Sequence, residues 1–458
     1  MDYKKARDIL LSAVKPVSGE RISLDMCADR VLAQAVAAYE DVPAFDRSPY
    51  DGYAFRAADT IGASKENPVT LEIIEEVPAG SVPSKEVISG TAVKVLTGAP
   101  IPPGADAVVM YEKTRFTDTE VTVFSPSKSG DSIIYKGEDV KKGTVLADPG
   151  VKIDPGIAGT LAAQGIYFPK VYRKPLIGII STGSELLDNE SGCHTCPDSA
   201  ARSDVDTVPD DLHNTGRIRN TNRYSIAAAL QKDGCDTVYL GTVGDDAEQI
   251  ARLISAGSVN SSESLNASGV SGSLESSDAS GSSEPSESSE MHGGTCSEFD
   301  MIILTGGVSA GDYDLTPEAM QLAGCEILIQ GVDIKPGMAC CYGVKDGMPV
   351  CALSGNPASS LTNYYVIVRP AVRKLAGLKD YLPEEFTVKL AGGFNKKSKS
   401  ARFLKGKLVI KDAEAVLEIP KGQGNVIISS SIGCDCLAAV PAGSGPLEAG
   451  TKLQAFTV

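Results

Sequence analysis

The sequence predicts an α/β domain with a doubly wound parallel sheet, flanked by β-rich domains, on three observations. From residue 175, short continuous apolar runs alternate with helical stretches. Such strands, unalternating and separated by helices, suit a parallel sheet covered on both faces. Residues 42–142 instead alternate Val, Ile and Thr with polar residues between Gly and Pro turns. From about residue 384 the tail returns to short strands with Gly turns, as in a small barrel or sandwich. The length of 458 residues allows for these parts. The expected domains are a split helical linker (1–41 and 143–173), a β-rich insertion (42–142), an α/β domain (174–380) and a C-terminal β-barrel-like domain (381–458).

Taken in order, residues 3–14 and 26–38 carry helical apolar spacing, and 155–167 resume it after the insertion. Leu176–Ile180 reads as a buried strand ending in Ser181-Thr-Gly-Ser-Glu185. Residues 222–233 predict a helix, Asp236–Leu240 a strand, and Asp246 the cap of a helix through Ile254. Met301–Leu304 leads into Thr305-Gly-Gly-Val-Ser309, and Thr316-Pro317 starts a helix with Thr as N-cap. Val350–Leu353 is a strand, and Ser354-Gly-Asn-Pro357 opens a helix to about Leu375. Two segments, near 189–215 and 256–298, break the pattern. Residues 258–290 hold 15 serines and 6 acids and no basic residue, too little apolar surface to offset ordering entropy, so disorder is expected.

Composition narrows the chemistry. The formal charge is −16, yet 189–215 carry a net −5 and 256–298 a net −7, so the rest of the chain is close to neutral. The whole disfavours nucleic acid or an anionic membrane as partner. The start lacks the apolar core of a signal peptide, and no apolar run is long enough to span a bilayer. Eleven scattered cysteines suit a reduced cytoplasmic protein, and Cys193-His194-Thr195-Cys196 lacks the second ligand pair of a zinc site. The only histidines, His194, His213 and His292, all fall in the two unusual segments. The catalytic body must therefore work with carboxylates, hydroxyls and backbone amides.

Ligands of open α/β sheets bind beyond the strand carboxyl ends. The motifs at Ser181–Glu185, Gly244–Asp246, Thr305–Ser309 with Asp314, and Ser354–Pro357 fall there, and Asn220-Thr-Asn-Arg223 precedes a helix. Glycines let N–H groups approach an anion, and hydroxyls add neutral donors. Together they describe a pocket for a phosphorylated polar heterocycle. Neither G-x-G-x-x-G after a strand nor G-x-x-x-x-G-K-[ST] occurs. Asp51, Asp139, Glu185, Asp245 and Asp314 lie in Gly-rich surroundings suited to Mg²⁺ with a phosphate. Lys335 could neutralise an anion or be a solvated turn residue.

These motifs, with Phe45–Ala54, Leu96-Thr-Gly-Ala-Pro-Ile-Pro102, Gly137-Glu-Asp-Val140, Thr221-Asn-Arg223, Lys335-Pro-Gly337 and Gly355-Asn-Pro357 in the same order, resemble the MoeA family of molybdopterin molybdotransferases, which includes the E domain of gephyrin. The resemblance implies an elongated homodimer that inserts molybdenum from molybdate into adenylylated molybdopterin, needs Mg²⁺ and releases AMP. It implies catalytic roles for Asp51, Asp139, Glu185 and Asp314, the last three near the metal. It implies substrate contacts at Thr97, Ser181, Thr182, Gly183, Asn222, Asp245, Gly306, Gly307, Ser309, Lys335, Gly337, Ser354 and Pro357. Asp51 and Thr97 would face the neighbouring subunit's cleft. Molybdopterin adenylyltransferase and molybdoenzyme-maturation proteins are the implied partners. Three departures stand out: Asn220 where many relatives carry Asp, Ser354 for the first Pro of Pro-Gly-Asn-Pro, and Met338 where some carry Lys. The competing readings are a non-enzymatic gephyrin-like scaffold, the related adenylyltransferase, and a tungstate-using variant.

Overall fold

The computed structural model describes residues 1–187, 216–256, 299–309, 315–420, 422–424 and 426–458. The acidic segments near 189–215 and 256–298 (Ala256 apart), the three histidines, the Cys193–Cys196 cluster and Asp314 lie outside the described residues.

Helix α1 (Tyr3–Ser12) starts where Asp2 accepts from the Lys4 and Lys5 amides. It buries Ala6, Leu10 and Leu11 in a core shared with Ile177, Ile303 and Tyr364, so it packs on the α/β domain. The linker proper is held by two ribbons, Gly19–Arg21 with Lys170–Tyr172 and Val36–Ala37 with Val145–Ala147, and by α2 (Pro155–Ala163), capped by Asp154. The helix predicted over 26–38 is absent. Leu24–Met26 makes one 3₁₀ turn, Asp29 has a φ of 61°, and Val31 and Leu32 bridge to Lys152 and Val171. Burial of Leu32 and Val36 against Ile153, Leu161 and Val171 overrides the local spacing.

The β-rich domain is one six-stranded sheet. Its strands are β1 (Gly52–Phe55), β2 (Val69–Val77), β3 (Thr91–Val95), β4 (Ala107–Met110), β5 (Thr114–Phe116) and β6 (Glu120–Val123), in the order β4-β1-β3-β2-β6-β5. Both faces of its centre are buried: Tyr53, Phe55 and Ala92 on one side, Ala54, Val93 and Val95 on the other. The β1/β3 register pairs Gly52 with Val95, which brings Asp51, just before β1, to Thr97, just after β3.

The α/β domain contains β7 (Leu176–Thr182), β8 (Asp236–Val243), β9 (Met301–Thr305), β10 (Glu326–Gln330), β11 (Cys340–Lys345) and β12 (Met348–Leu353), ordered β8-β7-β9-β12-β11-β10. The first four are parallel, as expected for a doubly wound sheet. The sheet then continues antiparallel through β11 and β10. A two-residue Asp346-Gly347 turn with positive φ at both positions joins β11 to β12, and this turn chemistry favours a hairpin over a crossover. Ile177, Ile179, Met301 and Ile303 fill one face with α3 (Asn222–Lys232). Ile180, Ile302 and Leu304 fill the other with α4 (Ala247–Ala256) and α5 (Thr316–Leu322). With both faces covered, the strands show no polar alternation. α6 (Pro357–Asn363), a π-helical turn at Tyr364–Val368 and α7 (Arg369–Leu375) make one long helical segment.

The tail closes into a five-stranded barrel of β13 (Phe386–Leu390), β14 (Ala401–Lys411), β15 (Glu414–Glu418), β16 (Cys436–Val440) and β17 (Lys452–Thr457). Closure comes from the β14/β16 ladder, which removes free edges. Ile334–Lys335 of the α/β domain pairs in parallel with Ala401–Arg402 of β14. That short ladder fixes the barrel against the ends of the central strands.

Candidate active site

The parallel strands end together at Thr182, Val243, Thr305 and Leu353, and a cleft of about 950 Å³ opens there. Its back wall is glycine. Gly306 donates its N–H to the Leu353 carbonyl at 3.0 Å and has a φ of 109°. A Cβ on Gly306 would lie 2.2 Å from the Thr182 carbonyl oxygen, and one on Gly307 would lie 2.6 Å from the Thr316 hydroxyl. Only glycine allows the two strand ends to come this close. Thr316 fixes the loop from behind: its N–H donates to Gly307 O and its hydroxyl to Gly306 O, both at 3.0 Å. It is therefore no N-cap; Leu315 holds that position without a side-chain cap. Asp246 does cap α4, accepting from the Glu248 and Gln249 amides.

Ten of the residues assigned to the site from the sequence line this cleft: Thr182, Gly183, Glu185, Asn222, Asp245, Gly306, Gly307, Ser309, Ser354 and Pro357. Asn222 is oriented by donating its amide N–H to Gly355 O at 2.8 Å, and its buried Oδ1 has no partner among the described residues. Glu185 and Asp245 bring two carboxylates to one side. The loops carrying them are tied by Ser184, whose N–H donates to Asp245 Oδ2 at 3.4 Å and whose Oγ accepts from the Asp245 N–H at 3.1 Å. Among the described residues no three metal-ligating side chains cluster.

A second recess of about 480 Å³ shares Ser309, Ser354 and Asn356 with the cleft. Lys335 and Gly337 line it, joined by Lys397, Lys399, Ser400 and Arg402 from the barrel. The Asn363 amide donates to Gly337 O at 2.8 Å and holds this loop on α6. Arg402 is buried over the Phe394 ring, its Nε has no partner among the described residues, and burial lowers its pKa from the ordinary value. Four cationic side chains around hydroxyls in a recess form a site for a multiply charged oxyanion.

Three predicted groups line neither cavity. Ser181 is fully buried behind the cleft, its oxygen accepting from Thr305 at 3.5 Å. Asp139 sits exposed on its loop, with its N–H donating to Val42 O at 3.0 Å. Asp51 accepts from the Thr97 amide at 2.7 Å and the Thr97 hydroxyl at 2.8 Å. Those bonds, the amide first, hold its carboxyl below the ordinary range. Sequence reasoning missed Arg217 and Arg219 at the cleft mouth, the barrel cations, and Val426 and Ile428, which form an apolar wall. The Lys396-Lys397-Ser398-Lys399 run, basic in an acidic chain, was the available signal.

A helical linker, a β-sheet insertion, a four-stranded parallel core with a glycine cleft at its carboxyl ends and a closing barrel define a four-part protein with a cleft of ligand-binding type. The models of the MoeA N-terminal region, a probable molybdopterin binding domain and the MoeA C-terminal region match residues 1–165, 178–265 with 287–374, and 387–457. The molybdopterin molybdenumtransferase of Staphylococcus aureus strain Mu50 is 32% identical over 94% of this chain and 88% of its own length. That of Staphylococcus epidermidis strain RP62A is 31% identical over 98% and 94%. The crystal structure of the molybdopterin biosynthesis moeA protein from Pyrococcus horikoshii OT3 superposes with a TM-score of 0.76 at 27% identity, covering 100% of both chains. This chain belongs to the MoeA family.

Proposed function

We propose that this chain is a molybdopterin molybdotransferase, a transferase of molybdenum cofactor biosynthesis that inserts molybdenum from molybdate into adenylylated molybdopterin and releases AMP. The observation that carries this reading is the pairing of the two cavities. A glycine-walled cleft at the strand ends suits a phosphorylated heterocycle, and a recess with four cations opens into it through Ser309, Ser354 and Asn356. The cleft would hold the pterin and its phosphates on backbone N–H groups. The recess would hold the molybdate oxyanion against Lys335 and Arg402, within reach of the dithiolene. The names of the staphylococcal relatives, molybdopterin molybdenumtransferases, support the molybdenum transfer itself.

The donor set fits Mg²⁺. Glu185 and Asp245 supply two carboxylates on one side of the cleft, and this ion takes few protein ligands when substrate phosphate and water complete its shell. When bound, the ion would neutralise charge on the phosphoanhydride that is cleaved. The chain's own residues position the reactants: glycine amides seat the phosphates, Asn222 orients the ring, and the recess aligns the oxyanion.

A homodimer in the cytoplasm completes the proposal. Met26, Tyr39, Val145, Tyr167 and Phe168 of the linker are each more than half exposed, which supports a subunit contact there. Asp51 and Thr97 line neither the cleft nor the recess, which suits a role at the partner's cleft. No helix among the described residues is long and apolar enough to cross a membrane. Incubation of the purified protein with adenylylated molybdopterin, molybdate and Mg²⁺ tests the reaction. AMP release with molybdenum appearing on the pterin is expected; AMP at the protein-free level overturns the reading.

A further inference from the structure

One wall of the cleft does not come from the α/β domain. Val426 and Ile428 belong to the barrel loop that follows β15 and leads to a 3₁₀ turn at Ser429–Ser431. A loop projecting from a barrel needs a fixed anchor if it is to shape a pocket. The anchor is on β14. Leu404 points into the barrel core, whereas Phe403 packs in the core shared with the α/β domain. With a period of two, Lys405 shares the side of Phe403 and faces the junction of the two domains.

Lys405 is only 6% exposed. Its ammonium donates to Ser430 Oγ at 3.0 Å and Ser431 Oγ at 2.9 Å, and to no carboxylate among the described residues. The Ser430 hydroxyl hydrogen is already committed to Ile427 O at 2.7 Å, so its oxygen is left to accept. The Lys405 ammonium therefore supplies the donor that this oxygen accepts. The backbone of the same residue is clamped from the other end of the loop: Lys405 N–H donates to Gln423 Oε1 at 3.2 Å, and Gln423 Nε2 donates to Lys405 O at 2.9 Å. One residue thus grips the loop at Gln423 and at Ser430–Ser431, with Val426 and Ile428 between the grips. A buried cation without a counter-ion is a poor stabiliser, and an apolar residue would serve the fold as well. Burial indeed lowers the ammonium pKa from its ordinary value.

We infer that Lys405 is a positioning residue for the substrate cleft: by holding Ser430 and Ser431 it sets Val426 and Ile428 against the bound pterin substrate. The inference rests on the cleft assignment made above and adds the barrel's part in it. Lys405→Met should raise KM for adenylylated molybdopterin about tenfold and leave kcat within about threefold, the pattern of lost uniform binding. Hydrogen exchange at residues 422–431 should quicken, with little change in Tm. Lys405→Arg, which keeps donors, should restore most of the affinity. The Ser430→Ala, Ser431→Ala double variant should reproduce the KM effect if Lys405→Met folds poorly. An unchanged KM with unchanged exchange in both the Met and the double-Ala variants overturns the inference. If wild type releases no AMP, the reaction assignment fails, and exchange at 422–431 in the Met variant still decides whether Lys405 pins the loop.

Discussion

The two sides of the cleft are built in opposite ways. The back wall from the α/β domain is backbone: Gly306 and Gly307 sit so close to Thr182 and Thr316 that no side chain fits. The barrel side is all side chain: Lys397, Lys399 and Arg402 in the recess, Val426 and Ile428 over the cleft. The glycine wall is sterically tight and uncharged, while the barrel wall adds three of the four cations of the recess. Backbone walls fail by strain, and charged walls fail by degree and with ionic strength. Substitutions on each side should therefore behave differently.

The largest effect belongs to the backbone side. Gly306→Ala puts a Cβ against a carbonyl at positive φ, and should lower unfolding stability by at least about 2 kcal/mol and abolish AMP release. Urea unfolding checks the first part; a fully stable, active variant would break the comparison. Arg402→Met should act in the opposite sense on the two readouts. Removing a buried guanidinium with an unpartnered Nε should leave Tm unchanged or higher, while AMP release at low molybdate falls about tenfold. A smaller change, about threefold in half-saturating molybdate, is expected for Lys397→Ala, and added salt should erase the difference because the group is exposed.

The smallest effect sharpens the contrast outside the cleft. Thr97→Val removes one of the two bonds to Asp51 and keeps the amide, so the Asp51 pKa should rise part of the way to its ordinary value. Because the folded pKa is depressed, the contribution of Asp51 to stability is full above the unfolded carboxylate pKa. It is lost as pH falls through the folded value. In the variant that loss should begin at higher pH, which carboxyl NMR titration with acid unfolding can follow. No movement of the Asp51 titration would show that the hydroxyl contributes nothing.

The same contrast explains what was legible in the sequence. Glycine at a strand end has few other uses, so the Thr305–Ser309 and Ser354–Pro357 turns declared the backbone side. Continuous apolar strands declared the sheet. The antiparallel β10–β11 extension was harder to see, since Cys340–Lys345 looks like any buried strand and only Asp346-Gly347 marks the hairpin. The false helix at 26–38 had the right spacing, but its apolar residues pair with strands more than a hundred positions away. The barrel's contribution was faint: the Lys396-Lys397-Ser398-Lys399 run hinted at it, but Arg402 and Lys405 read as ordinary strand residues. Only the Ile334–Lys335 pairing with Ala401–Arg402 brings them to the cleft. Asp51 and Asp139 stood out as carboxylates among glycines and Thr97 through the family resemblance, and within one chain they stay apart from both cavities.

The division of labour between the two sides is tested most directly by one pair of titrations on Arg402→Met beside wild type, following AMP release. The account predicts that half-saturating molybdate rises about tenfold while KM for adenylylated molybdopterin stays within about twofold. Equal movement of both constants, or movement of the pterin constant alone, would contradict it.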